Sequence, residues 1–168
     1  LIIFGLMAIA FKSYWQPFLV LTAVPFGLMG AIFGHWMLGW QVSMFSIMGV
    51  IACAGVVVND NLVLIDRINN LRDEGMDLVD ALLQGATDRF RPITLTSVTT
   101  FVGLVPIMLE TSVQAQFLIP MVVSLSFGVM FATGVTLVLV PALYLLGDDI
   151  GKFLSIVTKR ELERQDGD

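Results

Sequence analysis

The chain has 168 residues, 57% hydrophobic and only 14% charged, with a net charge of −5. Soluble domains run about 45–50% apolar and about 25% charged, so the composition argues against a water-soluble fold. The absence of a basic, aromatic-interleaved patch or a phosphate-cradling glycine motif argues against nucleic-acid and nucleotide binding.

Five apolar segments follow in chain order and predict an all-α, polytopic membrane helix bundle. The first covers residues 1–11 and is too short to cross a bilayer alone. It starts inside an apolar run, at Leu1-Ile2-Ile3-Phe4, with no initiator Met and no signal-peptide pattern. The chain therefore reads as the C-terminal piece of something longer, with this first span truncated.

The second span is predicted over about 17–38, from Pro17 to Gly39, and carries a stripe of Gly27, Gly30 and Gly34. Small residues four apart let membrane helices approach closely. His35 near its end suits an interfacial position better than a ligand role, and Trp15, Trp36 and Trp40 suit an interfacial aromatic belt.

The third span, about 42–66, contains the lone cysteine, Cys53, as a small packing residue. It then carries Asn59-Asp60-Asn61 and Asp66. Asn59 lies on the order of 7–8 Å from a midpoint near Ala54, at 1.5 Å per residue. A carboxylate at the bilayer centre costs about 2.5–3.5 kcal/mol on insertion scales, so such groups face protein or water. Asp60 is open to two readings, a buried acid satisfied by hydrogen bonds or a titrating group in a proton or ion path. Asp66 reads as an interfacial acid at a helix end.

Between spans three and four, Leu78, Leu82, Ala86 and Phe90 recur every fourth residue, with Asp77, Asp80, Gln84 and Asp88 on other faces. This spacing predicts an amphipathic helix along the cytoplasmic membrane surface. The fourth span, about 92–109, is expected to begin at Pro92, a residue tolerated at the first helical position. It carries Thr94, Thr96, Ser97, Thr99 and Thr100, with Arg89 and Arg91 at its mouth. Hydroxyls in membrane helices can simply bond their own backbone. An amide-acid helix beside a hydroxyl-lined helix with arginines at its base can also line a polar pathway. The fifth span, about 117–146, is striped by Ser124, Gly128 and Ala132, and residues 148–168 form a polar tail.

All nine Lys and Arg residues fall on one side of this arrangement. By the positive-inside rule that side is the cytoplasm, so the basic loops and the C-terminus are expected there. No His, Cys or acidic cluster has metal-ligand spacing. Two facing acids from different spans, as an intramembrane hydrolase requires, are also lacking, so no enzyme is expected.

The motifs "KSYWQPF", "GVVVNDNLVLIDRINNLRDEG", "DRFRPITLTSVTTFVGLVPIML" and "LVPALY", in this order, resemble the C-terminal transmembrane half of RND (resistance-nodulation-division) multidrug efflux permeases of the acriflavin-resistance type. The resemblance extends to about Leu146, making residues 1–147 the last five of twelve spans. It implies a proton-driven exporter of drugs or other amphiphiles in the bacterial inner membrane. The proton gradient is its energy source and no cofactor is needed. Its implied partners are a homotrimer, a periplasmic adaptor, an outer-membrane channel and the lipid bilayer. Carried over by motif, Asn59 stands where multidrug members have a lysine that pairs with acids of the fourth span. Arg89 matches an arginine before the eleventh span, and Thr96 a threonine within it. With Asp60 these form the expected proton relay. A membrane scaffold or sensing module of the same fold is the competing reading, and it has no need of an acid at this depth.

Overall fold

The computed structural model describes residues 2–11 and 15–165, with side chains for 4, 5, 7–9 and 15–148. Lys12, Ser13 and Tyr14 of the first motif lie outside the described residues, as do the side chains of Lys152, Lys159, Arg160 and Arg164. Six helices follow one another: α1 Ile2–Phe11, α2 Trp15–Leu21, α3 Val24–Leu38, α4 Met44–Asp73, α5 Leu78–Met108 and α6 Val113–Gln165. The described residues contain no strand. Among the described residues, four segments are long and apolar enough to cross a membrane: Trp15–Leu38, Met44–Asp73, Leu78–Met108 and Val113–Asp148. They are the four complete spans expected from the sequence.

Local chemistry explains the element boundaries. The second span is two helical pieces, because Pro25 has no N–H to donate to the carbonyl four residues earlier. The chain turns at Thr22–Ala23, where the Thr22 hydroxyl donates to the Leu19 carbonyl at 2.6 Å. α3 ends at Gly39, whose φ of 70° is left-handed and lets Trp40 N–H reach the His35 carbonyl. Glycine is used the same way after α4, at Gly75 with φ 90°. α5 begins at Asp77, whose carboxylate accepts from Val79 N–H.

Two expectations need correcting here. The amphipathic segment over 78–91 does not form a separate surface helix, and Pro92 does not start span four. Both belong to one unbroken helix, α5, with Pro92 inside it. Packing on both sides of the proline keeps the axis continuous. Leu82 and Gly85 are buried before it, and Ile93 and Ser97 after it. At about 1.5 Å per residue, a helix of 31 residues is roughly 46 Å long, against a hydrocarbon core of about 30 Å. The Leu78–Arg91 part thus extends beyond the span, alongside the end of α4.

α6 is the centre of the bundle, and α3, α4 and α5 all pack along it. Glycines bring the backbones together. A Cβ on Gly30 would lie 2.5 Å from Phe131 Cβ, and one on Gly34 2.5 Å from the Phe127 ring. A Cβ on Gly49 of α4 would run into the Met121 carbonyl of α6. Cys53, buried and unpaired, sits between Gly27 and Gly128. The small-residue stripes expected on spans two and five are these contact faces.

At the other end, Gln16, Asn69 and Tyr144 join α2, α4 and α6. Gln16 Nε2 donates to Asn69 Oδ1 at 3.0 Å, Asn69 Nδ2 returns a bond to Gln16 Oε1 at 3.1 Å, and Tyr144 OH donates to Asn69 Oδ1 at 2.9 Å.

Two outcomes follow for unfolding in mixed detergent micelles. Gly30→Val must push α3 off α6 and should destabilise the bundle by at least about 1–3 kcal/mol, the usual cost of overpacking. Tyr144→Phe removes two hydrogen bonds, the one donated to Asn69 Oδ1 and the one accepted from Gln16 Nε2, and should cost about 1–2 kcal/mol. Equal stability of Gly30→Val and the parent would rule out the close α3–α6 approach.

Candidate functional site

The four relay candidates lie on α4 and α5. Arg67 and Asp88 set the register of these helices: Arg67 Nη2 and Nε both donate to Asp88 Oδ2, at 2.8 and 3.0 Å, while Gln84 Nε2 holds Asp88 Oδ1 at 2.7 Å. Nearby, the side chain of Ile68 covers Gly85. The helices are therefore antiparallel. Two turns along from the ion pair, Asp60 comes level with Leu95, which puts Thr96 within one turn of Asp60 in depth. Arg89 is different. It stands beside Asp88, level with Arg67, about 10 Å from the Asp60 level at 1.5 Å per residue.

Each candidate has its own surroundings. Asn59 is exposed, on the side of α4 turned away from α6. Asp60 is half-buried, with Oδ2 shielded from solvent and without a hydrogen-bond partner. Arg89 is half-buried, with Nε likewise shielded and unpartnered. Thr96 is exposed and donates to the Pro92 carbonyl at 2.9 Å. No hydrogen bond joins any two of the four among the described residues. Register brings Asp60 and Thr96 to one level, Asn59 lies beside them, and Arg89 stands apart.

The other hydroxyls of α5 divide into three kinds, the first being Thr94, whose Oγ1 is shielded and without a partner. Thr99 donates to the Leu95 carbonyl and Thr100 to that of Thr96, which is back-bonding of the ordinary helical kind. Ser97 instead is buried and bonds Thr133 of α6 at 2.7 Å. Asn61 is 2% exposed and its Nδ2 has no partner. Sequence reading did not single out Ser97–Thr133 or the Arg67–Asp88 pair. Both link residues far apart in the chain, and only helix register brings them together. Asp66 accepts from Asn70 Nδ2 at 3.3 Å on an exposed face, as suits an acid at a helix end.

His35 is 3% exposed, packed between helices, and both ring nitrogens are engaged. Nδ1 lies 2.9 Å from the Ala31 carbonyl, which can only accept, so Nδ1 carries the proton. With neutral imidazole, Nε2 accepts from Ser46 Oγ at 2.8 Å, and Ser46 Oγ in turn accepts from Ser43 N–H at 3.0 Å. The ring thereby ties the end of α3 to the first turn of α4. A small cavity of about 110 Å³ beside it is also lined by Ser124.

Between this clasp and the level of Asn61 lies a buried apolar cluster of Ala23, Cys53, Val57, Val129 and Ala132. The bundle interior thus has polar groups at two levels with a dry block between them. Asn59, Thr96 and Thr99 lie outside that block, on the exposed surface of α4 and α5.

The chain is similar to known proteins. The sequence profile described as the AcrB/AcrD/AcrF family matches residues 1–148. The cobalt-zinc-cadmium resistance protein CzcA of Cupriavidus metallidurans is 34% identical over 146 residues, 87% of this chain and 14% of that protein. Protein HelA of Legionella pneumophila is 36% identical over 143 residues, 84% of this chain and 14% of its own length. The swarming motility protein SwrC of Bacillus subtilis is 31% identical over 144 residues, covering 85% and 14%. Among solved structures, a heavy metal efflux pump superposes with a TM-score of 0.75 at 33% identity, over 85% of this chain and 14% of that one. The chain thus spans about one seventh of the length of these relatives. Four membrane-length helices, the glycine-packed bundle and a match over nearly the whole sequence lead to one conclusion: the chain belongs to the AcrB/AcrD/AcrF family and is similar to the transmembrane region of RND permeases.

Proposed function

We propose that this chain is the C-terminal transmembrane part of a proton-motive-force-driven efflux permease of the bacterial inner membrane, with Asp60 as its titrating group. On this reading residues 1–147 supply the spans and 148–168 a cytoplasmic tail. The permease works as a trimer with a periplasmic adaptor and an outer-membrane channel. It moves cargo without making or breaking covalent bonds, and the proton gradient replaces a cofactor.

One observation carries the reading: a carboxylate in the body of a membrane-length helix has one oxygen shielded and unpartnered. An isolated buried charge is costly, and hydrogen-bonding or protonation relieves it. An acid left without a partner in one conformation is suited to load a proton there and release it in another. Asn59 and Thr96 supply hydrogen-bonding groups beside it, and neither can carry charge. The apolar cluster of Ala23, Cys53, Val57, Val129 and Ala132 disfavours a proton route through the bundle interior. The exposed α4–α5 face is the better route. Arg89, about 10 Å away at 1.5 Å per residue, fits a charge that tunes the cytoplasmic mouth better than a direct partner of Asp60.

Two cargo classes are in view. Amphiphile or drug export is what the resemblance to multidrug permeases implies. Heavy-metal export is favoured by the names of CzcA and of the matched efflux-pump structure.

The test uses cells producing the whole permease at matched levels, as wild type and as Asp60→Asn, with and without a protonophore. Efflux of a fluorescent amphiphile and resistance to cobalt, zinc and cadmium are measured in parallel. Asp60→Asn keeps the shape and removes the titrating proton, so transport should fall to the level of cells lacking the permease. Whichever cargo responds identifies the class. Unchanged, protonophore-sensitive transport would make Asp60 a structural acid. A parent with no transport of either kind would favour the scaffold reading. In the same assay Arg89→Ala should reduce the rate partially and shift its pH profile.

A further inference from the structure

On the side of α6 turned away from α4, the helices leave a gap. Phe33 of α3, Phe101 of α5, and Phe127, Met130, Phe131, Gly134 and Val135 of α6 enclose a groove of about 460 Å³. The volume falls within the range of about 300–1,000 Å³ typical of small-molecule sites. Its walls are firmly built. Phe101 meets Phe127 edge to face, with centroids 5.3 Å apart and planes at 79°. Gly30 and Gly34 press α3 onto Phe131 and Phe127, so these rings have backbone behind them. Gly134 faces open space in it: a Cβ there would meet nothing within 4 Å.

We propose that this groove holds one acyl chain of a membrane phospholipid. No charged or hydrogen-bonding side chain lines it, so it offers nothing to a headgroup, a metal ion or a polar cargo. Depth points the same way. Trp36, 78% exposed, lies one turn beyond Phe33 and has the amphipathic ring that marks a membrane–water boundary. The groove begins about 5 Å inside that level, one helical turn. It then runs inward along two turns of α6, the depth of acyl chains and not of headgroups. Exposed apolar residues lie near it, Met29 of α3 and Met130 and Val138 of α6. Asn59 and its polar neighbours lie on the other side of the bundle. The inference rests on the bilayer reading of the four spans and is independent of proton coupling. A chain seated here would fill the space between α3 and α5 and hold α5, the helix of Thr96 and Arg89, at a set distance from α3.

The experiment uses the whole permease in vesicles of a phospholipid bearing a photoreactive diazirine midway along one acyl chain. Adducts are mapped by mass spectrometry. The expected result is strong labelling of the peptides containing Phe101 and Phe127–Val135, above that of other membrane-facing segments. Gly134→Leu occupies the groove and should lower this labelling severalfold, with Gly134→Ala intermediate. Gly103→Leu, at another open glycine outside the groove, should leave it unchanged. If Gly134→Leu fails to fold, the Gly134→Ala step alone decides the matter. Even labelling of all membrane-facing helices, insensitive to residue 134, would overturn the proposal. Absence of label in the groove would mean that the rest of the permease covers it. Displacement of the label by a saturating amphiphile, but not by unlabelled phospholipid, would make it a cargo site instead.

Discussion

The close approach of α3 and α4 to α6 is the constraint on which the rest depends. Within a bilayer, lipid tails are as apolar as leucine, so burying apolar surface gives little drive for helices to associate. Van der Waals contact, hydrogen bonds and shape must supply it. Gly27, Gly30 and Gly34 on α3, Gly49 on α4 and Gly128 on α6 remove the side chains that would hold the backbones apart. With two helices seated on α6 in this way, α5 is positioned by apolar contacts of Leu82, Ile93 and Phe101 and by two polar links. These are Ser97 to Thr133 at one level and Arg67 to Asp88 at another.

That packing also arranges the polar groups. The hydroxyls and amides that can be satisfied inside the bundle are used as clasps: His35 with Ser46, Ser97 with Thr133, and Asn69 with Gln16 and Tyr144. Each ties two or more helices, and the first is separated from the others by apolar contacts. Asp60 has no such partner for Oδ2, and Asn59 is not enclosed at all. Asp60 thus stays open at membrane depth among the described residues, together with the unpartnered Asn61 Nδ2 and the hydroxyls of Thr94, Ser124 and Ser126. The ion pair of Arg67 with Asp88 is partly exposed and screened by solvent, so it adds little stability. Its importance is geometric, because it fixes which residues of α4 and α5 stand at the same depth.

The two faces of the bundle then differ in character. The α4–α5 face carries amide, acid and hydroxyl groups. The groove between α3 and α5 on α6 is aromatic and aliphatic throughout. A polar seam and an apolar groove on opposite sides suit a bundle that meets other protein or water on one side and lipid on the other.

Much of this was legible in the sequence. Hydropathy and length decide the four spans, because each must be apolar over about 20 residues to cross a bilayer. The glycine stripes identify the packing faces, because only small residues admit such contacts. The place of Asp60 within an apolar run marks it as a candidate before any fold is known, because a charge at that depth is expensive whatever surrounds it. Pro92, by contrast, reads as a helix start by local rules and sits mid-helix, since packing of α5 on both sides outweighs one lost hydrogen bond. The bond of His35 to Ser46 of α4 is not legible in the chain at all. Ser97 looks like any back-bonding hydroxyl until Thr133 is placed opposite it. These outcomes depend on which residues of different helices share a level and a face. Hydropathy carries no information about register between helices, so only the tertiary structure could decide them.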